Sequence, residues 1–231
     1  MRNLNPTAIS SIPSLTRPAG VPRALAGDTG NPAIRSPRPR TVGLLAIQGD
    51  FDLHRQAVRN LGYQAREVRT LADLAGVDCL IMPGGESTTM RKLMVLNGLF
   101  DAIPRFAKDH AIMATCAGLI LLSNGIEGSP DQVTLGLVDC KVSRNSYGRQ
   151  YHSFRQAGSV RWPGVQSDFE MVFIRAPRIT HLGGSVEILG RLGDEPTLIR
   201  QGNILAMTFH PELAGDERIH DFFLNGVATW G

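Results

Sequence analysis

The sequence predicts a three-layer α/β fold in which a mainly parallel sheet carries helices on both faces. From Thr41 onward, apolar runs alternate with segments whose apolar residues recur at helical spacing, which is typical of successive βα units. Some runs, such as Ala111–Ala114, contain no polar residue, which indicates strands buried inside the molecule. Glycine and proline mark many of the connections between the predicted elements.

The strands are placed by their apolar and β-branched runs. In chain order the predicted strands are Thr41–Ile47, Tyr63–Val68, Asp78–Met82, Ala111–Ala114, Leu135–Val142, Val172–Ile174, Val186–Leu189, Thr197–Ile199 and Ile204–Phe209. Beyond Leu135, glycine, proline and β-branched residues dominate. We therefore expect short strands and hairpins there before the last strand, rather than further βα units.

Three helices have signals of their own. The segment Phe51–Leu61 has apolar residues at helical spacing and stops at Gly62. Ser87 or Thr88 is expected to cap a helix that continues through Met94. The last helix is amphipathic, and its apolar positions are Ile219, Phe222, Phe223 and Val227.

Residues 1–40 differ in composition from the rest of the chain. This segment is rich in proline, serine and arginine, has Asp28 as its single acidic residue, and shows no apolar periodicity. We expect a disordered N-terminal extension, and a solvated tail or a misassigned start is favoured over an organelle transit peptide. Without this segment the chain is slightly acidic, so the basic pI of about 9.0 does not indicate nucleic-acid binding.

Composition argues against several other classes of protein. No apolar run is long enough to span a bilayer. The three cysteines are widely spaced, which argues against a disulfide framework or a zinc site and fits a reducing compartment. We therefore expect a cytoplasmic protein without a metal or cofactor. Cys79 and Cys140 are expected to be inert core residues.

Cys116 is the candidate nucleophile. It follows the apolar run Ala111–Ala114 and Thr115, and precedes Ala117-Gly118 and a second apolar run. This order predicts a strand, a sharp turn and a helix, which is the layout of a nucleophile elbow with cysteine in place of serine. Gly118 is expected to allow the tight turn, and the N-terminus of the helix would favour the thiolate.

His210 and Glu212 are the candidate partners of Cys116. They follow a predicted buried strand, and residues two apart in extended chain lie on the same side. Pro211 should stiffen the link and hold His210 in extended geometry. A carboxylate beside an imidazole fixes its tautomer and supports its basicity, as in a nucleophile–base–acid triad.

Glycines after a third strand complete the candidate site. Pro83-Gly-Gly85 ends an apolar run, and a backbone N–H there, together with that of Ala117, would suit an oxyanion hole. In parallel α/β sheets ligands bind at the carboxyl ends of strands. Gly85, Cys116 and His210 all follow strands, so we expect them to converge.

Three motifs resemble those of class I, or triad, glutamine amidotransferases, which implies a flavodoxin-like fold. They are Pro83-Gly-Gly-Glu-Ser87, Thr115-Cys-Ala-Gly-Leu119 and Phe209-His-Pro-Glu212. Within that class, further motifs are similar to those of the glutaminase subunits of pyridoxal 5′-phosphate synthase. They are Leu45-Ala-Ile-Gln-Gly49, Pro83-Gly-Gly-Glu-Ser-Thr-Thr-Met90, Arg144-Asn-Ser-Tyr-Gly-Arg-Gln150 and Phe173-Ile-Arg-Ala-Pro177. The resemblance identifies residues 41–231 as the amidotransferase domain.

The resemblance implies roles for further residues. Those expected to bind L-glutamine are Gly85, Glu86, Ser87, Arg144, Ile174 and Arg175. Gly49 would join Gly85 and Ala117 in the oxyanion hole, because Gln48-Gly49 matches the segment that the synthase subunit reorganises. His54 matches a histidine common in the helix that follows. Asp50-Phe51-Asp52 departs from the family by being more acidic than expected for a segment facing a partner.

The expected reaction is hydrolysis of L-glutamine by Cys116, His210 and Glu212, with the ammonia passed to a synthase subunit in a hetero-oligomer. Neither nucleic acid nor a membrane is expected as a partner. Three alternatives remain: a glutaminase subunit of another amidation pathway, a cysteine peptidase-like or chaperone-like member of the same fold, and a non-catalytic regulatory subunit. Glu86, Arg144 and the complete triad argue against the last two.

Overall fold

The computed structural model describes residues 41–144 and 153–229. The extension predicted for residues 1–40 lies outside the described residues, as do most of the motif that begins at Arg144 and the last two residues of the chain. No helix in the described ranges is long and apolar enough to cross a membrane.

Two sheets contain the strands of the described residues. In chain order the strands are β1 (Thr41–Leu45), β2 (Gln64–Val68), β3 (Cys79–Met82), β4 (Ala111–Thr115), β5 (Ser123–Ile126), β6 (Val138–Ser143), β7 (Ser153–Trp162), β8 (Val165–Ile174), β9 (Arg178–Leu182), β10 (Glu187–Leu192), β11 (Glu195–Gln201) and β12 (Ile204–Met207). The larger sheet has nine strands in the order β2-β1-β3-β4-β12-β11-β10-β7-β8, and β5-β6-β9 form the smaller one.

The parallel half of the large sheet positions the candidate site. Neighbours within β2-β1-β3-β4-β12 are all parallel, and this is the flavodoxin-like strand order. From β12 to β8 the neighbours are antiparallel, because hairpins rather than helices connect most of those strands. The carboxyl ends of β1, β3, β4 and β12 therefore share one edge of the sheet.

Helices cover both faces of the parallel strands. The α-helices are α1 (Phe51–Asn60), α2 (Leu71–Leu74), α3 (Ser87–Leu96), α4 (Leu99–Phe106), α5 (Ala117–Leu122) and α6 (Arg218–Asn225). Side chains of β3 alternate between two apolar clusters: Cys79 and Ile81 pack with residues of α1 and α6, whereas Leu80 and Met82 pack with residues of α3, α4 and α5. This arrangement confirms the predicted three-layer α/β fold.

Cys79 and Cys140 are free and fully buried, one in each apolar cluster. Burial raises the pKa of the Cys79 thiol and raises the pKa of the Cys140 thiol to about 12, with a smaller effect from the neighbouring Asp139. Both cysteines are therefore protonated core residues, as predicted.

The strand predicted at Leu135–Val142 begins three residues later than expected. The N–H groups of Leu135 and Leu137 donate to the carbonyl groups of Leu121 and Leu122, at the end of α5. These bonds hold the segment against the helix, so ladder pairing starts only at Val138.

The hairpin of β7 and β8 was only partly predicted. Val172–Ile174 is the end of a ten-residue strand, and its partner Ser153–Trp162 was missed. Most residues of β7 are exposed, and its buried residues alternate with exposed ones, so the strand lacks the apolar run that reveals a buried strand. Pairing with β8 and β10 holds β7 in place, together with the packing of Val160 and Trp162 in an apolar cluster.

Candidate active site

Cys116 lies at a sharp turn between β4 and α5. Its backbone has φ 47° and ψ −101°, and its N–H donates to the carbonyl of Met207 at 2.9 Å. A residue other than glycine is strained in such a conformation, by roughly 1–3 kcal/mol. The surrounding strands therefore hold the thiol at the carboxyl edge of the sheet, at the start of a helix.

Gly118 has a different role from the one expected from the sequence. The positive φ of the turn is at Cys116, and Gly118 is the second residue of α5. A Cβ atom on Gly118 would lie 2.5 Å from the carbonyl oxygen of Met82, at the end of β3. Glycine is thus needed for close packing of α5 on the sheet, and not for the turn itself.

His210 follows β12, and neighbouring residues constrain both its backbone and its ring. Its backbone is extended, as predicted, and its N–H donates to the carbonyl of Val172 at 2.8 Å. A Cβ on Gly84 would lie 2.3 Å from Cε1 of the imidazole, so the glycine leaves room for the ring. The residue as a whole is 6 % exposed.

Glu212 supports His210 from a 3₁₀ turn, Pro211–Leu213, and not from extended chain as the sequence predicted. Pro211 at the first helical position turns the backbone, and the Glu212 carboxylate comes back beneath the imidazole. The distance between His210 Nδ1 and Glu212 Oε1 is 2.7 Å. Because His210 Nδ1 contacts the Glu212 carboxylate, His210 Nε2 is the nitrogen available to Cys116.

The charges of the three residues are coupled. Burial lowers the pKa of His210, but its interactions with Cys116 and Glu212 outweigh burial and raise that pKa to about 10. Burial raises the pKa of Glu212, but the neighbouring His54 and the hydrogen bond with His210 lower it to about 2. The site therefore keeps a carboxylate beside a proton-bearing imidazole.

A cavity of about 480 Å³ opens in front of Cys116, a volume suited to a small molecule. Every residue predicted to bind L-glutamine lines it, as do Cys116 and His210. Arg144 directly follows β6, and Arg175 has a φ of 44°. Cys116 and Arg175 are the non-glycine residues with positive φ among those that the structure describes. Both strained residues therefore face the same cavity.

Glu86, and not Ser87 or Thr88, caps α3. Its carboxylate accepts from the N–H groups of Thr88 and Thr89 at 2.9 and 2.7 Å. Partial burial raises the pKa of Glu86, but the Thr89 hydroxyl, which donates to the carboxylate at 2.6 Å, and these N–H groups lower that pKa to about 2. The Glu86 side chain therefore fixes the loop that lines the cavity. A ligand that contacted Glu86 would do so while the carboxylate still caps α3.

Two of the three oxyanion-hole candidates line the same cavity, and the third, Ala117, follows Cys116. Gly49 has a φ of 98°, and Gly49 and Gly85 line the cavity with Gln48. Ala117 is the first residue of α5, where N–H groups have no acceptor within the helix. Gln48 Oε1 accepts from the N–H of Glu86 at 2.8 Å and so links the loops after β1 and β3.

The structure also requires glycine at position 49 for a steric reason. A Cβ there would lie 1.9 Å from the carbonyl oxygen of Gly84, the residue that packs against His210. A Gly49→Val substitution would therefore displace the imidazole as well as stiffen the loop. A loss of activity in Gly49→Val would therefore not show by itself that the Gln48-Gly49 segment reorganises.

Two further histidines lie behind the triad. His54 in α1 was noted only through the family resemblance, and His220 in α6 was missed. Both are buried, and their nitrogens approach to 2.9 Å. A signal was present, since His220 lies between Ile219 and Phe222 on the apolar face of an amphipathic helix.

Comparison with known proteins identifies relatives of this arrangement. Residues 44–229 match the SNO glutamine amidotransferase family. The chain is 49% identical over 185 residues to the pyridoxal 5′-phosphate synthase subunit PdxT of Thermus thermophilus, covering 79% of this chain and 95% of that protein. It is 47% identical over 189 residues to PdxT of Deinococcus radiodurans, covering 80% of this chain and 95% of that protein.

A solved glutamine amidotransferase has the same fold. It is 46% identical, superposes with a TM-score of 0.76, and covers 81% of this chain and 98% of the solved chain.

Proposed function

The chain belongs to the SNO glutamine amidotransferase family, and on this premise we propose that it is a glutaminase that supplies ammonia to pyridoxal 5′-phosphate synthesis. It hydrolyses L-glutamine to L-glutamate and ammonia, using Cys116, His210 and Glu212. The single observation that carries the proposal is that Cys116 and His210 line one cavity while Glu212 lies 2.7 Å from His210. Relatives named as pyridoxal 5′-phosphate synthase subunits, at 43–49% identity, support it.

In the first half-reaction, the Cys116 sulfur attacks the side-chain amide carbon of glutamine. The negative charge that develops on the amide oxygen is stabilised by N–H groups at Gly49, Gly85 and Ala117. His210 then gives its Nε2 proton to the departing nitrogen, so that ammonia leaves and a γ-glutamyl thioester remains. Glu212 stays ionised and stabilises the imidazolium.

In the second half-reaction, water attacks the thioester. His210, now neutral, takes a proton from the water, and glutamate leaves as the thiol or thiolate is regenerated. The elements balance, since one glutamine and one water give one glutamate and one ammonia. The reaction needs no redox equivalent.

The cavity supports an amino acid as substrate. An α-carboxylate requires a cation, and Arg144 and Arg175 line the cavity. An α-ammonium group requires acceptors, and the loop at Glu86 and the carbonyl of Ile174 can provide them at the same cavity. The Ile174 carbonyl already lies 3.8 Å from the Cys116 sulfur, so a substrate held there is beside the nucleophile.

The ammonia passes to a synthase subunit in a hetero-oligomer located in the cytoplasm, and neither nucleic acid nor a membrane takes part. The partner identity rests on the names of the relatives. The alternative of a different amidation pathway keeps the same chemistry and changes only the partner.

A glutaminase assay with and without a purified synthase subunit tests this proposal. We expect slow hydrolysis by the isolated chain and an increase on the order of 10²–10³-fold with the synthase, the scale of one oxyanion donor. A Cys116→Ser chain should bind the synthase but remain below a tenth of the wild-type rate. A serine variant as active as the wild type would contradict the assignment of the nucleophile.

A further inference from the structure

Behind the triad lies a buried pair of histidines that the mechanism does not use. His54 in α1 is 0 % exposed and His220 in α6 is 1 % exposed. His54 Nδ1 and His220 Nε2 are 2.9 Å apart, which is hydrogen-bond distance. Neither residue lines the cavity in front of Cys116. A direct role in binding glutamine is therefore excluded for both.

His54 reaches two parts of the candidate site. Its Nε2 lies 3.4 Å from Oε2 of Glu212, the carboxylate oxygen that His210 does not use. The same nitrogen lies 3.4 Å from the hydroxyl of Thr115, the residue before Cys116. His54 thus sits between the support of the base and the strand that carries the nucleophile.

Burial keeps both histidines neutral. It lowers the pKa of His54, and it lowers the pKa of His220 to about 3. The ionisable groups that face His54 are Glu212, which acts against this lowering, and His210, which adds to it, with a smaller opposing contribution from Asp50. Each neutral imidazole therefore carries one N–H. It can donate one hydrogen bond from that nitrogen and accept one at the other.

Counting donors leaves one arrangement. If His54 donated from Nδ1 to His220, the lone pair of its Nε2 could accept from the Thr115 hydroxyl, but it would also face the Glu212 carboxylate. His220 would then carry a buried N–H at Nδ1, which has no partner among the described residues. In the reverse arrangement His220 donates from Nε2 to His54, and His54 donates from Nε2 toward Glu212. That arrangement leaves only the acceptor at His220 Nδ1 unpaired. It also turns an N–H toward Oε2, a buried oxygen that has no other hydrogen-bond partner among the described residues.

We infer that His54 is a positioning residue of the glutaminase, which holds the second oxygen of Glu212 through its Nε2–H while His220 fixes its tautomer. The effect of His54 on the reaction rate rests on the proposed function, whereas the tautomers of His54 and His220 do not depend on it. With Oε2 held by His54, Oε1 stays on His210 Nδ1, and His210 Nε2 stays directed to the nucleophile. The triad is therefore extended to five residues, Cys116, His210, Glu212, His54 and His220.

Nitrogen-15 NMR of the histidine side chains in the full-length protein tests the tautomers directly. We expect both His54 and His220 to carry the proton on Nε2, with no change of protonation between pH 6 and 8. A proton on Nδ1 of His54, or a protonated His54 at neutral pH, would overturn the inference. This measurement needs neither substrate nor partner.

Kinetics of the complex with the synthase subunit test the consequence. His54→Leu should lower kcat for glutamine hydrolysis by about 10–100-fold, the scale for outer hydrogen-bond partners, with KM changed less than about threefold. His54→Gln should recover most of kcat, because its amide can donate to Glu212 and accept from His220. Val58→Ala, a buried change in the same helix, controls for loosened packing of α1.

The outcomes separate the two claims. An active wild-type complex in which His54→Leu retains full kcat, or in which His54→Gln is no better than His54→Leu, overturns the positioning role. An inactive wild-type complex overturns the proposed function and any kinetic role of His54, while the NMR measurement still decides the tautomers.

Discussion

At the scale of single residues, the candidate site divides into groups that act on the reaction and groups that hold the substrate. Glu212 is buried and contacts His210 but does not line the cavity, whereas Arg144 lines the cavity. A change in Glu212 should therefore act on the chemical step. A change in Arg144 should act on binding.

Glu212→Gln should lower kcat by one or more orders of magnitude, with a small effect on KM. The amide cannot stabilise the His210 imidazolium, and loss of the carboxylate in a triad costs up to about 10⁴-fold in kcat. Steady-state kinetics in the presence of the synthase measure both parameters.

Arg144→Ala should do the opposite, raising KM for glutamine at least about tenfold while kcat changes less. It removes a cation that holds the substrate carboxylate in both ground and transition states. The same kinetic defect in both variants would show that this division of roles is wrong.

Sequence alone predicted which residues come together at the candidate site, but not how each one is placed. The nucleophile, base and acid were predicted from the order of strand, elbow and His-Pro-Glu, because each follows an apolar run. The strain at Cys116 was not predictable, since its N–H bonds to the distant strand β12. The 3₁₀ turn of Glu212 was missed although Pro211 at its first position is a local signal. Gly118 was predicted to form the turn, but it is required by the approach of Met82.

At the scale of elements, α1 and α6 meet through the buried pair of His54 and His220. Because the pKa of both is lowered in the folded state, the unfolded chain takes up protons first as the pH falls below 6.5. Their contribution to stability is present above pH 6.5. It is lost as the pH falls from 6.5 to the pKa of each histidine in the folded state, which for His220 is about 3. His210 has the opposite sign, since its pKa is raised to about 10. Its contribution is complete below pH 6.5 and is lost as the pH rises toward 10.

The free energy of unfolding should therefore be greatest near pH 6.5. On the acid side it should fall by up to about 1.4 kcal/mol per pH unit for each buried neutral histidine. Urea unfolding between pH 4.5 and 9 measures this profile, and the acid slope should become shallower in His220→Phe. Stability that increases from pH 6.5 down to 5 would be inconsistent with neutral buried histidines.

The predictability of elements followed their burial. The parallel strands β1, β3, β4 and β12 were found because both of their faces lie in apolar clusters, so their sequences are nearly continuous apolar runs. The strand β7 was missed because its few buried residues alternate with exposed ones and form no apolar run. The cap of α3 was misplaced by one or two residues because Glu86 can accept the same hydrogen bonds as Ser87 or Thr88.

At the scale of the whole molecule, the family match begins at residue 44, after the arginine- and proline-rich segment 1–40. We propose that residues 41–231 form the glutaminase domain. Deleting residues 1–40 should leave the melting temperature within about 2 °C and the synthase-stimulated activity unchanged, because the segment lacks the apolar periodicity needed to pack on a domain. Calorimetry and the glutaminase assay check this, and a loss of several degrees would place the domain boundary earlier.

We propose that ammonia made at Cys116 reaches the synthase without mixing with the solvent. Amide-¹⁵N-labelled glutamine, supplied with the synthase, its other substrates and excess unlabelled ammonium, tests this proposal when the pyridoxal 5′-phosphate formed is analysed by mass spectrometry. We expect the wild-type product to be mainly ¹⁵N-labelled, and the Cys116→Ser complex to make only unlabelled product from the added ammonium. Product that carries mainly solvent nitrogen in the wild-type complex, or labelled product from Cys116→Ser, would contradict it.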